Sequence, residues 1–293
     1  MRVTDRMIYD NASLWTGNAR SQVEAATETA STGLRIVHPG DDPAAAGQVT
    51  VHQQAQARAD AIAKSVQAAS GEFDSAESAL AAVGNAVARA RELAVQLSTS
   101  TYTAAQRSAA AGEVTGLFNE AVAALNTKVG NRYLFGGSKD SQPPFDSTGA
   151  YQGDTLVRQV EAAPGVLQNA SVRADVAAKG ACGGVDLLTT LQSLATALAA
   201  NDVTGVQGTL DNLDKSTAQL ATARATAGAD QSALDQAHSI ALAASTSEKA
   251  AVSHLQDADI IASATQLQLA LRALQAALQA STASFQLSLA TSK

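Results

Sequence analysis

The chain has 293 residues and a mass of 29.7 kDa, with 20 Lys+Arg against 27 Asp+Glu and a formal net charge of −7. That balance argues against a nucleic-acid-binding module, which carries a basic patch to offset phosphate charge. Hydrophobic residues are 46% but aromatics only 3%, so much of the apolar content is Ala and suits thin, closely approaching helices, while a single cysteine excludes an intramolecular disulfide and a Cys-based zinc site.

The first residues, Met1 to Asp10, carry charges every few positions with no apolar run after them, so no secretory signal peptide is expected. A helix is predicted from about Thr4 to Thr32, with Met7, Leu14, Val23, Ala26 and Ala30 among its apolar positions. Gly33 suits the position after a helix, where positive φ is needed. Leu34 to Gly40 reads as extended. Asp42-Pro43 restarts a helix that runs to about Leu97: Asp42 caps free N–H groups, and Pro43 loses no hydrogen bond at the first helical position. Thr103 with Gln106 fits a capping box for a helix over about 104–128, with Leu117, Phe118, Val122 and Leu125 on its buried face.

The middle of the chain differs in composition. It holds Pro143, Pro144 and Pro164, nine of the 20 glycines, and the aromatics Tyr133, Phe135, Phe145 and Tyr151. Arg132 to Phe135 reads as a short strand, Thr155 to Val160 as a strand of a hairpin after Tyr151, and Val172 to Val176 as a further strand. Asp186 then caps a short helix to about Ala200.

No proline follows Pro164, which leaves the C-terminal part free to be helical. A 3-4 repeat runs through Leu213, Ser216, Leu220, Ala223, Ala227, Asp230, Leu234, Ala237, Ala241, Ala244, Glu248, Ala251, Leu255 and Ala258, a coiled-coil seam with many small residues. Its phase shifts near Asp259-Ile260-Ile261, which marks a stutter or a joint. A second seam is predicted through Ala264, Leu267, Leu271, Leu274, Leu278, Ser281, Phe285 and Ser288. Gln266, Gln268, Gln275, Gln279 and Gln286 interrupt this stretch, so no transmembrane helix is expected.

The expected fold is mainly α: a long antiparallel helical coiled-coil rod formed by the N- and C-terminal segments, with a small β-rich insertion. The expected division is terminal helices over 1–45 and 255–293, a helical rod domain over 46–130 and 186–254, and a β-rich outer domain over 131–185.

Signals for chemistry are weak. His38, His52, His238 and His254 share no metal-ligand spacing, and no HExxH occurs. Cys182, in Gly180-Ala181-Cys182-Gly183-Gly184, reads as a small residue in a glycine-rich loop that matches no phosphate-binding pattern. Asp41-Asp42 is far from a cation coordination sphere and fits helix capping better. No catalytic residue, cofactor or metal is expected. Charged residues are only 16%, and the terminal helices have core partners only in each other. Self-assembly is the sharper reading.

The segment from Ser31 to Ala46 resembles the N-terminal signature of bacterial flagellins and their relatives. Its signature positions here are Ser31, Gly33, Arg35, Pro39, Asp41, Asp42 and Pro43. Gly130 to Gly137, Pro143-Pro144-Phe145, Tyr151-Gln152-Gly153-Asp154 and the start Met1 to Thr4 resemble most the hook–filament junction branch of that family. The resemblance implies a structural protein of the flagellum whose terminal helices form an inner tubular core while the middle projects outward. It implies self-association in a ring, contacts with a neighbouring hook-associated protein and with filament flagellin, and no nucleic-acid or membrane partner. An export chaperone would hold the C-terminal helix through Leu267, Leu271, Leu274, Leu278 and Phe285. Passage through the flagellar type III export apparatus would place the chain outside the cell with no cleaved signal peptide. The filament subunit itself is the first alternative, and a secreted coiled-coil adhesin is a further one.

Overall fold

The structure, a computed structural model, describes residues 2–291, with side chains described over 6–286 except Ile8 and Phe285. Helices α1 (Arg2–Thr32), α2 (Pro43–Leu97) and α3 (Ala104–Leu125) come first. Two hairpins follow, β1 (Lys128–Val129) with β2 (Arg132–Tyr133) and β3 (Gln159–Ala163) with β4 (Val166–Asn169). Helices α4 (Ala174–Ala177), α5 (Leu187–Ala199), α6 (Val203–Gln256) and α7 (Ile260–Thr291) complete the chain. It divides into two compact units, residues 1–58 with 244–293, and residues 59–243.

In the unit 59–243, α2 and α6 run antiparallel. The pairing order shows it: Ser70 donates to Asp235 at 2.9 Å, Gln231 to Asp74 at 2.5 Å, Arg224 pairs with Glu77 at 2.5 Å, and Arg91 with Asp214. The seam of α6 buries Leu213, Ser216, Leu220, Ala223, Ala227, Leu234, Ala237 and Ala241 at the expected 3-4 spacing, with Val206 and Thr209 buried ahead of them, whereas Asp230 is half-buried and Ala244 is exposed. The main core joins α2 residues such as Leu80, Val83 and Val87 to α3, α5 and the start of α6. Phe135 and Phe145 of the insertion are fully buried in that core. A second core lies under β3–β4, where Val160 and Ala162 meet Ile62, Val66 and Phe73 of α2 and Leu234 of α6.

Local signals set the helix ends. The Thr103 hydroxyl accepts from the Gln106 N–H, and the Gln106 side chain accepts from the Thr103 N–H at 2.8 Å, a complete capping box. Helix α3 stops at Leu125, short of the expected 128, because Asn126 caps it and its amide turns to Phe145. Asp186 caps α5 by accepting from the Thr189 N–H at 3.1 Å. Arg107 is buried, and it donates to the Leu97 carbonyl (3.1 Å), the Thr99 carbonyl and the Asn201 amide oxygen (2.6 Å). Its charge thus sits on the carbonyl end of α2, where a helix favours a cation.

The strands differ from expectation. Arg132-Tyr133 pairs with Lys128-Val129 across a Gly130-Asn131 turn, and the strand stops before Phe135. Thr155 to Arg158 is not a strand; β3 begins at Gln159. Pro164-Gly165 fixes this register, since Gly165 has φ +79 and turns the chain back into β4. Val172 to Val176 is not a strand either: Ala174–Ala177 is a helical turn whose Asp175 is held by Arg173.

In the unit formed by 1–58 and 244–293, α1 and α7 pack antiparallel. The face of α1 toward α7 holds Ala12, Thr16, Ala19, Val23 and Ala26. The inner line of α7 is Ser263, Leu267, Ala270, Leu274, Ala277 and Ser281. Small residues occupy most of these positions and let the two backbones approach closely. The predicted seam is therefore displaced by one position at Leu271 and Leu278, which are 44% and 48% exposed, and Met7 and Leu14 also face outward.

Candidate functional site: two helix breaks joined in one clasp

The signature segment lies between α1 and α2. Gly33 has φ +71 and ends α1, its N–H donating to the Thr29 carbonyl at 2.9 Å. Ser31 and Thr32 turn their hydroxyls back onto the Glu28 carbonyl at 3.0 and 2.8 Å. After Leu34 the backbone bends rather than staying extended, and Pro39 opens a turn. Asp41 organises that turn: its carboxylate accepts from the N–H groups of Val37 (3.0 Å) and His38 (2.8 Å). Asp42 accepts from the Ala45 N–H at 3.0 Å and so caps α2, with Pro43 as its first residue. The backbone bond from His38 holds Asp41, and that from Ala45 holds Asp42, below the usual carboxylate range.

The second break, between α6 and α7, is the partner of the first. Leu34 and Asp257 form an antiparallel bridge. The Arg35 N–H donates to the Gln256 carbonyl at 2.7 Å, and the Ala258 N–H to the Gly33 carbonyl at 2.8 Å. The Gln256 amide donates to the Ile36 carbonyl at 3.2 Å, and Ile36 is 4% exposed. Arg35 adds its guanidinium, donating to the Leu255 carbonyl at 2.8 Å and to Asp42 at 3.4 Å. A cation on the last carbonyls of α6 is favoured by unpaired acceptors and helix dipole alike. Asp259 then caps α7, accepting from the N–H groups of Ile261 (2.8 Å) and Ala262 (3.1 Å).

The clasp uses Gly33, Arg35, Asp41, Asp42 and Pro43 as distinct parts. Nothing in the sequence spacing pairs Gln256 to Asp259 with the first break, although the phase shift at Asp259-Ile260-Ile261 marks a break there. On α7, Leu267 and Leu274 are half-buried on the line toward α1, while Leu271 and Leu278 face outward. The Phe285 side chain lies outside the described residues. Exposed apolar side chains gather in this unit: Met7, Tyr9, Leu14 and Trp15 on α1, and Ile260, Ile261, Leu269, Leu271 and Leu278 on α7. His52 meets Glu248 at 2.6 Å, and Cys182 is exposed in its loop. Among the described residues no helix is long and apolar enough to cross a membrane, and no group of three or more His, Cys, Asp or Glu is placed to hold a metal.

Residues 3–140 match the family described as the bacterial flagellin N-terminal helical region. Flagellar hook-associated protein 3 of Salmonella typhimurium is 32% identical over 167 residues, covering 56% of this chain and 53% of that protein. Flagellar hook-associated protein 3 of Escherichia coli is 33% identical over 166 residues, covering 55% and 52%. The chain thus spans about half the length of the curated relatives it matches. Among solved structures, FlgL of Xanthomonas campestris superposes with a TM-score of 0.61 at 20% identity, covering 69% of this chain and 99% of that one. Flagellar hook-associated protein 3 of Legionella pneumophila gives 0.62 at 14% identity, covering 71% and 98%. These two likenesses show the fold. The signature clasp lies within the stretch, residues 3–140, over which the chain is similar to the bacterial flagellin N-terminal helical region.

Proposed function

We propose that the chain is a structural subunit of the bacterial flagellum and forms the junction between hook and filament by self-assembly of its terminal helices. The observation that carries this reading is the outward apolar face of α1 and α7. Trp15 and Leu14 are each 63% exposed, and Ile261 is 80% exposed, beside an inner face of small residues. Large apolar side chains turned to water mark a surface that binds protein. The two named relatives are flagellar hook-associated proteins, and the match of residues 3–140 to the flagellin N-terminal helical region supports a flagellar role.

In this reading, 1–45 and 255–293 form the inner-core region, 46–130 with 186–254 a rod, and 131–185 the outward part. The neighbours are a hook-associated protein on one side, filament flagellin on the other, and further copies in a ring. An export chaperone covers the α7 face before secretion through the type III apparatus, with no signal peptide cleaved, and the chain ends outside the cell. No reaction is assigned to it, and the clasp is a mechanical joint.

Deleting the coding sequence tests this. Motility assays and electron microscopy should show hooks without filaments, with filament subunits lost to the medium. Normal filaments of altered composition would make the chain a filament subunit instead.

A further inference from the structure

In the unit 59–243, one carboxylate of α2 gathers two arginines from separate parts of the insertion. Glu72, with its side chain 16% exposed, pairs with Arg158 and stands 3.6 Å from Arg132 of β2. Arg132 is shared with Asp140 at 3.3 Å. Arg158 is the clasp of the β3–β4 hairpin: its carbonyl accepts from the Ala170 N–H at 2.7 Å, and its guanidinium donates to the Ala170 carbonyl at 2.8 Å. Both feet of the hairpin therefore meet at the residue that Glu72 holds. Burial pulls Arg158 below the ordinary guanidinium range, and Glu72 pushes it back up.

The apolar part of the attachment is built from small side chains, with Ala170 buried at the hairpin's foot. The hairpin's inner face offers Val160 and Ala162, both small, and Gln168, which donates to Asp230 of α6 at 3.1 Å. A cavity of 230 Å³ separates its foot from α6, lined by Phe73, Val157, Asn169, Val172, Ala223 and Ala227. A two-stranded hairpin is marginal by itself in water. What it covers is the apolar seam of Ile62, Val66, Phe73 and Leu234.

We propose that the β3–β4 hairpin is a strap that opens as one unit from the α2–α6 seam, with Glu72 as the positioning residue that holds it shut and Asp230 as a weaker second latch. Closed, it keeps that seam out of water and away from other helices. Open, it exposes an apolar stripe that the rest of the unit does not need to unfold to present.

Native-state hydrogen exchange on the full chain tests this, with Glu72→Gln, Glu72→Asp and Asp230→Asn. Glu72→Gln keeps the shape and removes the charge. It should raise exchange at Val160, Glu161 and Leu167 by about tenfold or more while α3 and α5 exchange as in the parent. Binding of an apolar fluorescent dye should rise with it. Glu72→Asp should restore part of the protection, and Asp230→Asn should loosen β4 by a smaller factor. Unchanged exchange in Glu72→Gln would overturn the proposal. So would an equal rise across the hairpin, α3 and α5, which would make Glu72 an ordinary contributor to global stability. If Glu72→Gln does not fold, Asp230→Asn decides: loosening confined to the hairpin supports the strap, and loosening of the whole unit or of nothing refutes it.

Discussion

The Arg35 guanidinium sits 2.8 Å from the Leu255 carbonyl, across a sequence separation of 220 residues. That contact joins the two helix breaks of one unit, so neither break can change its angle without straining the other. Arg35→Ala removes the guanidinium bonds but leaves the bridge of Leu34 and Asp257. The site is exposed, so the loss in stability should be modest, about 1 kcal/mol. Hydrogen exchange should rise at the Arg35 and Ala258 amides, and Arg35→Lys should recover only part of the effect, because an ammonium lacks the planar fork.

Gly33 tests the backbone of the same clasp. A Cβ there meets no atom within 4 Å, so any cost comes from φ +71 alone. Gly33→Val should cost about 1–2 kcal/mol, and Gly33→Asn much less, since Asn tolerates the left-handed region. Thermal melts of the two variants check this. Motility lost in Gly33→Val with stability unchanged would count against a structural role.

The two faces of α7 should separate by mutation. Leu274→Asp places a carboxylate toward α1 and should weaken the α1–α7 pair by about 2 kcal/mol. Leu271→Asp faces outward and should leave the helical melting of the chain unchanged while blocking assembly or chaperone binding. Circular dichroism with a pull-down on hook preparations distinguishes them. Wild-type binding by Leu271→Asp would remove that face from the assembly surface.

In dilute monomer, α1 and α7 should exchange amide hydrogens faster than α5. Their shared line is mainly small residues, which bury little apolar area, whereas α5 buries Leu187, Leu188, Leu191, Leu194 and Leu198. Equal protection of all three helices would contradict this.

The insertion should weaken at both ends of the pH scale. Burial, with Asp175 and Asp154 nearby, raises the Tyr151 phenol to about 12. A raised value means the unfolded chain releases this proton first, near the ordinary value of 10.0. The phenol's contribution is thus complete below pH 10 and is lost as pH rises from 10 toward 12. Tyrosinate absorbance should show a late-titrating component that is lost in Tyr151→Phe. On the acid side, the Thr148 hydroxyl holds Asp146, and the Ser138 hydroxyl holds Asp154, below the usual carboxylate range. Their contribution is present above that range and is lost as pH falls through the lowered values.

How legible the fold was depended on how local each cause is. Gly33, Asp42-Pro43, Thr103 with Gln106, and Asp186 act within one turn, and each marked its helix end in the sequence. The β3–β4 hairpin was misplaced because Thr155 to Val160 carries β-forming residues, while the register is set by Pro164-Gly165 further on. The α7 line was misread because leucines suggest a core. Where two helices approach closely, however, Ser263, Ala270 and Ala277 take the inner places, and Leu271 and Leu278 are turned out. Partners far apart in sequence, such as Glu72 with Arg158 or Arg35 with Leu255, leave no trace in spacing.

Immunogold labelling of intact flagella with antibodies to the unit 59–243 tests the junction role most directly. A single narrow band of label where the hook meets the filament is the predicted result. Label distributed along the whole filament would contradict it and make the chain a filament subunit.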